Sequence, residues 1–490
     1  MTEPVAMGEV LPGVLAEVID RAGPGYQRWA ELVAQAGYCS HPIRLAGRVE
    51  HADQQTGEVR QVYSTDAEPD GVLLKACGNR LASRCPSCSA VHQADTYHLV
   101  SAGLAGGKGV PATVAAHPRL FVTFTAPSFG RVHTRQTQGR LVLPCHPYRQ
   151  GRVCAHGRRA GCWHRHEAED QALGEPICPQ CYDGEGQVLW NALAPELWRR
   201  TTEYLRRALA QLAGLTLAEC NATVRPAFVK VAEFQRRGAI HLHAVIRLDA
   251  APPEDDPGRV APPPPGFTAD LLEQAVRQAA ARVFAPVPPL GDDSATPMRA
   301  AVWGDQLDLR RLPAPKPGET SAETVAGYLA KYVTKSTEAL GARLDRRLGP
   351  DDLDRLDAPA HVAELVHAAW RLGDRPGLAK LRLRQWAHLL GFGGHFATKS
   401  RRYSTTMTAI RRARVAYALR RRRRDLTPLG DHDQDAAEDA AVVVLATWAY
   451  VGAGYATEGE TWLALSAAAR ARERRRIARE ELYTTTPTAA

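Results

Sequence analysis

The chain of 490 residues is 44% hydrophobic and 23% charged, with a formal charge of +9 and a pI of about 9.1. Such a length can bury a large core in two or three domains, and the basic balance favours a polyanionic partner. The longest apolar run, 440–455, is too short and too interrupted by Gly for a bilayer span, which excludes a helical membrane protein.

In chain order, Val10 to Gly37 reads as a helix, and mixed polar sequence without an assigned role runs on to residue 70. A first Cys-x-x-Cys knuckle lies within 72–100. Arg119 to Thr125 alternates like a strand, and a Cys/His-rich insert fills 144–182. Val188 to Leu215 has helical apolar spacing, through Leu189, Leu193, Leu197, Trp198, Leu205, Leu209 and Leu212. Phe228 to Phe234 and Ile240 to Leu248 read as a hairpin, and a Pro-dense linker covers 251–266. A helix (Asp270 to Phe284), a strand (Arg299 to Leu309), a loop (Lys316 to Glu319) and a helix (Ser321 to Leu340) complete this stretch. The order is β-α-β-β-α-β and then α, an α+β fold with the ferredoxin-like succession of elements. Beyond Leu340 the chain reads as mainly helical and basic, with an acidic loop (Asp431 to Asp439), a strand (Ala441 to Tyr455) and a final helix (Trp462 to Leu482).

The N-terminal Met-Thr-Glu-Pro carries acid where a secretory leader has a basic region, so a cytoplasmic protein with its ten cysteines reduced is expected. Cys85-Pro-Ser-Cys88 and Cys178-Pro-Gln-Cys181 are two knuckles. Cys77 precedes the first; Cys145, Cys154 and Cys162 precede the second, with His156, His164 and His166 interspersed. In a reduced compartment this spacing reads as one or two structural zinc ions, the grouping of ligands left open, with redox pairs as the rival reading. Cys39 and Cys220 read as bystanders.

His241 and His243, two apart on a strand, share one face, while Ile240, Leu242, Ala244 and Ile246 make the other face apolar. Gln235-Arg236-Arg237-Gly238 reads as the tight turn, and a hairpin centred on Arg237 sets Glu233 opposite His241. Two imidazoles and a carboxylate suit a divalent metal with open positions; a hydrogen-bonded His pair is the alternative. Tyr328 and Tyr332, four apart, share a helical face, and Lys331 and Lys335 each follow a tyrosine by three. A phenol with its usual pKa near 10 needs activation by neighbouring positive charge to act as a nucleophile. Residues 399–424 hold eleven Lys or Arg and no acid, among them Lys399, Arg401, Arg402, Arg411 and Arg412, which suits a phosphate backbone. The mixture of Gly, aromatic and basic residues over 393–403 suits a loop lying along such a backbone.

Glu233 with His241-x-His243 on adjacent strands, followed by Tyr328-x-x-x-Tyr332-x-x-Lys335, resembles the HUH endonuclease superfamily and its two-tyrosine rolling-circle initiators. The wider chain, roughly 70 to 480, resembles the RepSA-like replication initiators of actinobacterial plasmids and integrative conjugative elements. The segments carrying this likeness are Phe121-Val-Thr-Phe-Thr-Ala-Pro-Ser-Phe-Gly130, Arg237-Gly-Ala-Ile-His-Leu-His243, Tyr328 to Lys335 and Gly394-His-Phe-Ala-Thr-Lys-Ser-Arg-Arg-Tyr-Ser404.

The resemblance implies a ferredoxin-like nuclease core over 119–340 carrying the zinc insert, after an N-terminal region (1–70) and a first knuckle (71–118). A basic, mainly helical DNA-binding region would occupy 341–490. It implies Mg2+ or Mn2+ on Glu233, His241 and His243, and attack by Tyr328 or Tyr332 on a phosphodiester. Lys335 would neutralise the transition state, leaving a 5′-phosphotyrosine and a free 3′-hydroxyl. Lys331, Lys399, Arg401, Arg402, Arg411 and Arg412 would hold single-stranded or supercoiled origin DNA. No Gly-x-x-x-x-Gly-Lys-[Ser/Thr] occurs, so no nucleotide cofactor is expected, and a host helicase and polymerase become expected partners. Competing readings are a relaxase or transposase of the same chemistry, a non-catalytic zinc-containing DNA-binding regulator, and a 2-His-1-carboxylate oxygenase.

Overall fold

The computed structural model describes residues 12–485 apart from 55, 149–152, 290–299, 313–320, 336, 343, 345 and 427–441. The chain divides into two compact units, residues 1–93 with 413–490, and residues 94–412. The first unit is discontinuous in sequence because Ile43–Asp53 pairs with Val442–Ala453.

In the first unit, the segment expected as one helix forms two, Pro12–Arg21 and Tyr26–Gln35. Gly23-Pro24-Gly25 breaks it, with Gly25 at φ 84°, a conformation glycine adopts freely. The polar stretch that follows is not irregular: Ile43–Asp53 is the central strand of an antiparallel sheet. On one side it pairs with Val442–Ala453, and on the other with Val59–Ser64 and Leu73–Lys75. Trp29, Leu32, Val33, Leu74, Tyr455 and Ala464 fill this unit's core together with Cys39, Cys85 and Cys88. The acidic segment at 431–439 lies outside the described residues.

The second unit is built on five antiparallel strands. Its main elements are β1 (Arg119–Phe124), α1 (Gly184–Leu212), β2 (Val224–Phe234), β3 (Ile240–Ala250), α2 (Ala269–Arg282), β4 (Leu307–Arg311), α3 (Ser321–Val333), α4 (Ala360–Gly373) and β5 (Ala397–Lys399). The sheet order is β4-β1-β3-β2-β5, with β3 and β1 central. Alternation divides the strands between two cores. Leu120, Val122 and Phe124 of β1 and Ile240, Leu242, Ala244 and Ile246 of β3 meet α1 and α2 through Leu189, Trp190, Leu193, Leu197, Leu272 and Val276. On the opposite face, Phe121, Val229, Val231 and Val245 meet Ala326, Leu329 and Val333 of α3, and Leu99, Val100 and Leu104 of the helix Pro86–Ala105.

Three details depart from the sequence expectation. The strand expected over 299–309 is split: Ala300–Ala301 pairs with Ala285–Pro286, and only Leu307–Arg311 joins β1. Between them the chain runs so close to β1's end that a Cβ on Gly304 would meet the Ala126 oxygen at 2.7 Å. The helix carrying the tyrosines ends at Val333, leaving Lys335 beyond it, before a short 3-10 turn at Thr337–Leu340. The 393–403 stretch, expected as a loop, contributes β5 on the sheet edge, with Phe396 and Tyr403 buried. The loop expected at 316–319 lies outside the described residues.

Candidate functional site

Register determines the site. Glu233 pairs with His241 across the β2–β3 hairpin, and His243 pairs with Val231 on β2 and Thr123 on β1. The turn closes with Gly238 at φ 82° and the Gln235 N–H bonded to the Ala239 carbonyl at 2.8 Å. It is fastened from behind. The Asn191 amide donates to the carbonyls of Gly238 (2.9 Å) and Leu390 (3.0 Å), and its oxygen accepts from the Ile240 N–H (3.1 Å). Gln187 of α1 and His361 of α4 both donate to the Arg237 carbonyl, at 2.9 and 3.0 Å. Burying Asn191 is tolerable because each of these polar atoms has a partner.

His243 Nε2 donates to Glu233 Oε2 at 3.0 Å, and its Nδ1 lies 3.1 Å from the Thr123 hydroxyl. The His241 and His243 rings are 6.0 Å apart. His241 Nε2 is buried and has no hydrogen-bond partner. Burial, His243 and Arg237 push this imidazole down to about 3, so it is neutral with a free lone pair.

α3 brings both tyrosines over the same spot. The Tyr328 ring lies 5.3 Å from that of His243, the Tyr332 ring 5.5 Å from it and stacked, and the two phenols are 4.6 Å apart. Phe121 stacks on His243 and meets Tyr328 edge-on. Tyr328 is 39% exposed and Tyr332 half-buried. Burial, the Tyr328 hydroxyl and the Glu233 carboxylate hold the Tyr332 phenol above its ordinary range. Lys335 Nζ sits 4.9 Å from the Tyr332 ring centre, while Lys331 is exposed. Near the turn, a cavity of about 810 Å³ is lined by Arg236, Arg237, Arg131, His133 and Trp303 among others.

The cysteines gather into three sets of four residues, each with all donor atoms within 4.8 Å of one another. Cys39, Cys77, Cys85 and Cys88 form the first, so Cys39 is no bystander: its sulfur is 3.7 Å from that of Cys85 and accepts from the Cys77 N–H at 3.3 Å. His133, Cys145, Cys162 and His166 form the second, where His166 Nδ1 donates to Asp170 at 2.6 Å. Cys154, His156, Cys178 and Cys181 form the third, with Cys154 and Cys178 sulfurs 3.7 Å apart. Backbone bonding from His156 is the main cause pulling the Cys154 thiol down to about 6. Cys220 is buried outside all of these sets. Sequence reasoning missed Cys39 and His133 because neither stands in a knuckle spacing. Glu233, His241 and His243 do not form such a compact set.

The basic stretch is less uniform than its composition suggests. Lys399 Nζ turns inward to the carbonyls of Ser400, Arg401 and Ser404 at 3.3, 3.2 and 2.9 Å. Arg411 lies 3.7 Å from the buried Asp95 carboxylate. Arg401 and Arg412 are exposed and Arg402 is half-buried.

Residues 25–469 match the family described as "Replication initiator protein, pSAM2". The chain is 43% identical over 485 residues to a replication initiator protein of Streptomyces ambofaciens, covering 98% of this chain and 96% of that one. No solved structure matches.

Proposed function

We infer that this chain, which belongs to the RepSA family of replication initiators, opens one strand of its origin DNA through a tyrosine nucleophile and so starts rolling-circle replication. One observation carries this reading: two phenols and the Glu233–His243 pair meet over a single point of the sheet. The β-α-β-β-α-β succession, with its fourth strand beside the first and the first beside the third, supports a ferredoxin-like HUH nuclease core.

In the step we propose, a Tyr328 or Tyr332 oxygen bonds to the scissile phosphorus as the bond to the 3′ oxygen breaks. The phenolic proton leaves to solvent, and the departing 3′ oxygen takes a proton from solvent to become the hydroxyl that primes synthesis. The phosphotyrosine keeps the energy of the broken ester, so rejoining needs no nucleotide. Two phenols on one helical face allow a second cleavage while the first tyrosine is still esterified.

Glu233, His241 and His243 fit a Mg2+ or Mn2+: His241 is neutral with an unsatisfied nitrogen, and Thr123 orients His243 from behind. That ion would supply positive charge to the scissile phosphate. Lys335 stands where it can add charge beside Tyr332. The Cys/His sets suit zinc: a Zn–S length of about 2.3 Å sets tetrahedral sulfurs about 3.8 Å apart, and the closest sulfur pairs lie at 3.7 Å. Origin DNA is the partner, with host helicase and polymerase acting on the opened strand. Among the described residues, no helix is long and apolar enough to cross a membrane.

The test incubates the protein with Mn2+ and end-labelled single-stranded origin DNA. The parent forms a covalent protein–DNA adduct, each single Tyr→Phe variant keeps part of the nicking, and the double variant Tyr328→Phe/Tyr332→Phe forms none. An adduct in the double variant refutes the assignment.

A further inference from the structure

At the other end of the strands that carry the site, five arginines converge. Arg206, Arg225, Arg259, Arg401 and Arg402 line a pocket of about 370 Å³ formed where β2 begins and β3 ends. Arg206, Arg259 and Arg401 are exposed, and Arg225 and Arg402 half-buried. Asp249 is the acid in the lining, and it is already committed to Arg247 at 2.7 and 2.8 Å and to His117 at 2.7 Å. Arg402 Nη1 is buried without a hydrogen-bond partner. Burial, and then the charges of Arg402 and Arg206, pull the Arg225 guanidinium below its ordinary range. Like charges pressed together at a cost, with no acid free to offset them, call for an anion from outside the chain.

We propose that this pocket grips the phosphate backbone of duplex DNA flanking the strand-opening site. The proposal rests on the reading of the chain as an initiator that opens its origin. Eight residues of β2 separate Arg225 from Glu233, a span of about 27 Å at roughly 3.3–3.4 Å per residue. That span matches about eight base-pair steps of duplex at 3.4 Å each. Guanidinium forks suit phosphate oxygens and carry no base preference, so the contact positions the duplex without reading its sequence.

The test titrates the full chain and the variant Arg206→Gln/Arg225→Gln with a mixed-sequence 30-base-pair duplex over a range of NaCl concentrations. Binding to such a duplex is sequence-independent, so the outcome does not depend on whether the tyrosines nick DNA. The expected result is a log–log salt slope reduced by about two, and weaker affinity at every salt concentration. The melting temperature should be unchanged or higher, since mutual repulsion is relieved; a drop in melting temperature with no change in slope would mark the arginines as structural and overturn the proposal. Parent-like slope and affinity would overturn it too. So would loss of dATP-induced thermal stabilisation alongside intact duplex affinity, which would assign the pocket to free nucleotides.

Discussion

The Cys/His sets and the Glu233–His241–His243 trio use similar donors but are held in opposite ways. Among the described residues, the insert around Cys145 to Cys181 and the segment leading into it have little regular structure: a preceding hairpin of two three-residue strands (Gln136–Gln138 and Leu141–Leu143) and a short 3-10 turn. Its donors nevertheless crowd together, as in closed four-ligand sites whose ion supplies folding energy. The trio stands on two 11-residue strands, paired along their whole length between two apolar cores. There Glu233 and His243 are in hydrogen-bond contact at 3.0 Å, but the trio as a whole does not close into a compact set. If the proposed ions bind, compact donors on weak scaffolding make an ion that builds structure, and the trio on strong scaffolding makes structure that presents an ion.

The sharpest way to break this contrast is to remove one donor from an insert set proposed to hold zinc. Cys178→Ser should cost the insert most of its local stability, of which structural zinc typically contributes about 10–16 kcal/mol in isolated modules. Metal analysis should fall by one equivalent, and hydrogen exchange should speed up over 153–182 while β2 and β3 stay protected. Loss of protection across the sheet would show that the scaffolds are not independent.

A smaller effect probes the sheet's own margin. Lys230 lies within β2, 3% exposed, its ammonium bonded to the His395 carbonyl at 3.2 Å, and burial pushes it down to about 8. Between about pH 8 and 10.5 the unfolded chain holds a proton that the folded one has lost, so stability rises with pH across that window. The rise is about 3 kcal/mol, at about 1.4 kcal/mol per pH unit. Below pH 8 the folded chain carries the full desolvation cost. Lys230→Met should therefore be more stable at pH 7 by up to about 3 kcal/mol and lack the alkaline rise, as read from urea unfolding at pH 7 and pH 10. Equal pH dependence in both proteins would contradict the assignment.

The smallest expected effect lies at the trio. Thr123→Val removes the hydroxyl beside His243 Nδ1 and should weaken Mn2+ binding about 10–100-fold with little change in melting temperature. Calorimetric titration with Mn2+ reads this directly, and unchanged affinity would mean that the strands alone orient the imidazole.

Most of the central unit was legible because its signals are short-range. The alternation over 240–248, Gly238 in the turn and the i, i+4 tyrosines each act over a few residues, and they put Glu233 opposite His241 and both phenols over His243. What stayed hidden depends on distant pairing. Ile43–Asp53 is intermediate or exposed along its whole length, so it lacks the apolar alternation that marks a half-buried strand. Cys39 joins Cys77, Cys85 and Cys88 only once the fold closes over 38 residues of chain. Composition also misled over 399–424, where the inward turn of Lys399 and the pairing of Arg411 with Asp95 are invisible to a count of charges.

The pairing of Ile43–Asp53 with Val442–Ala453 has a consequence for biosynthesis. The first strand emerges from the ribosome almost 390 residues before its neighbour, a wait of roughly 20–80 s at 5–20 residues per second. Everything the central sheet needs, from Arg119 to Lys399, is translated within that interval. A message cut short before codon 442 would therefore yield a finished middle with an amino-terminal strand lacking this neighbour, and closing that last sheet reports that translation has passed residue 453.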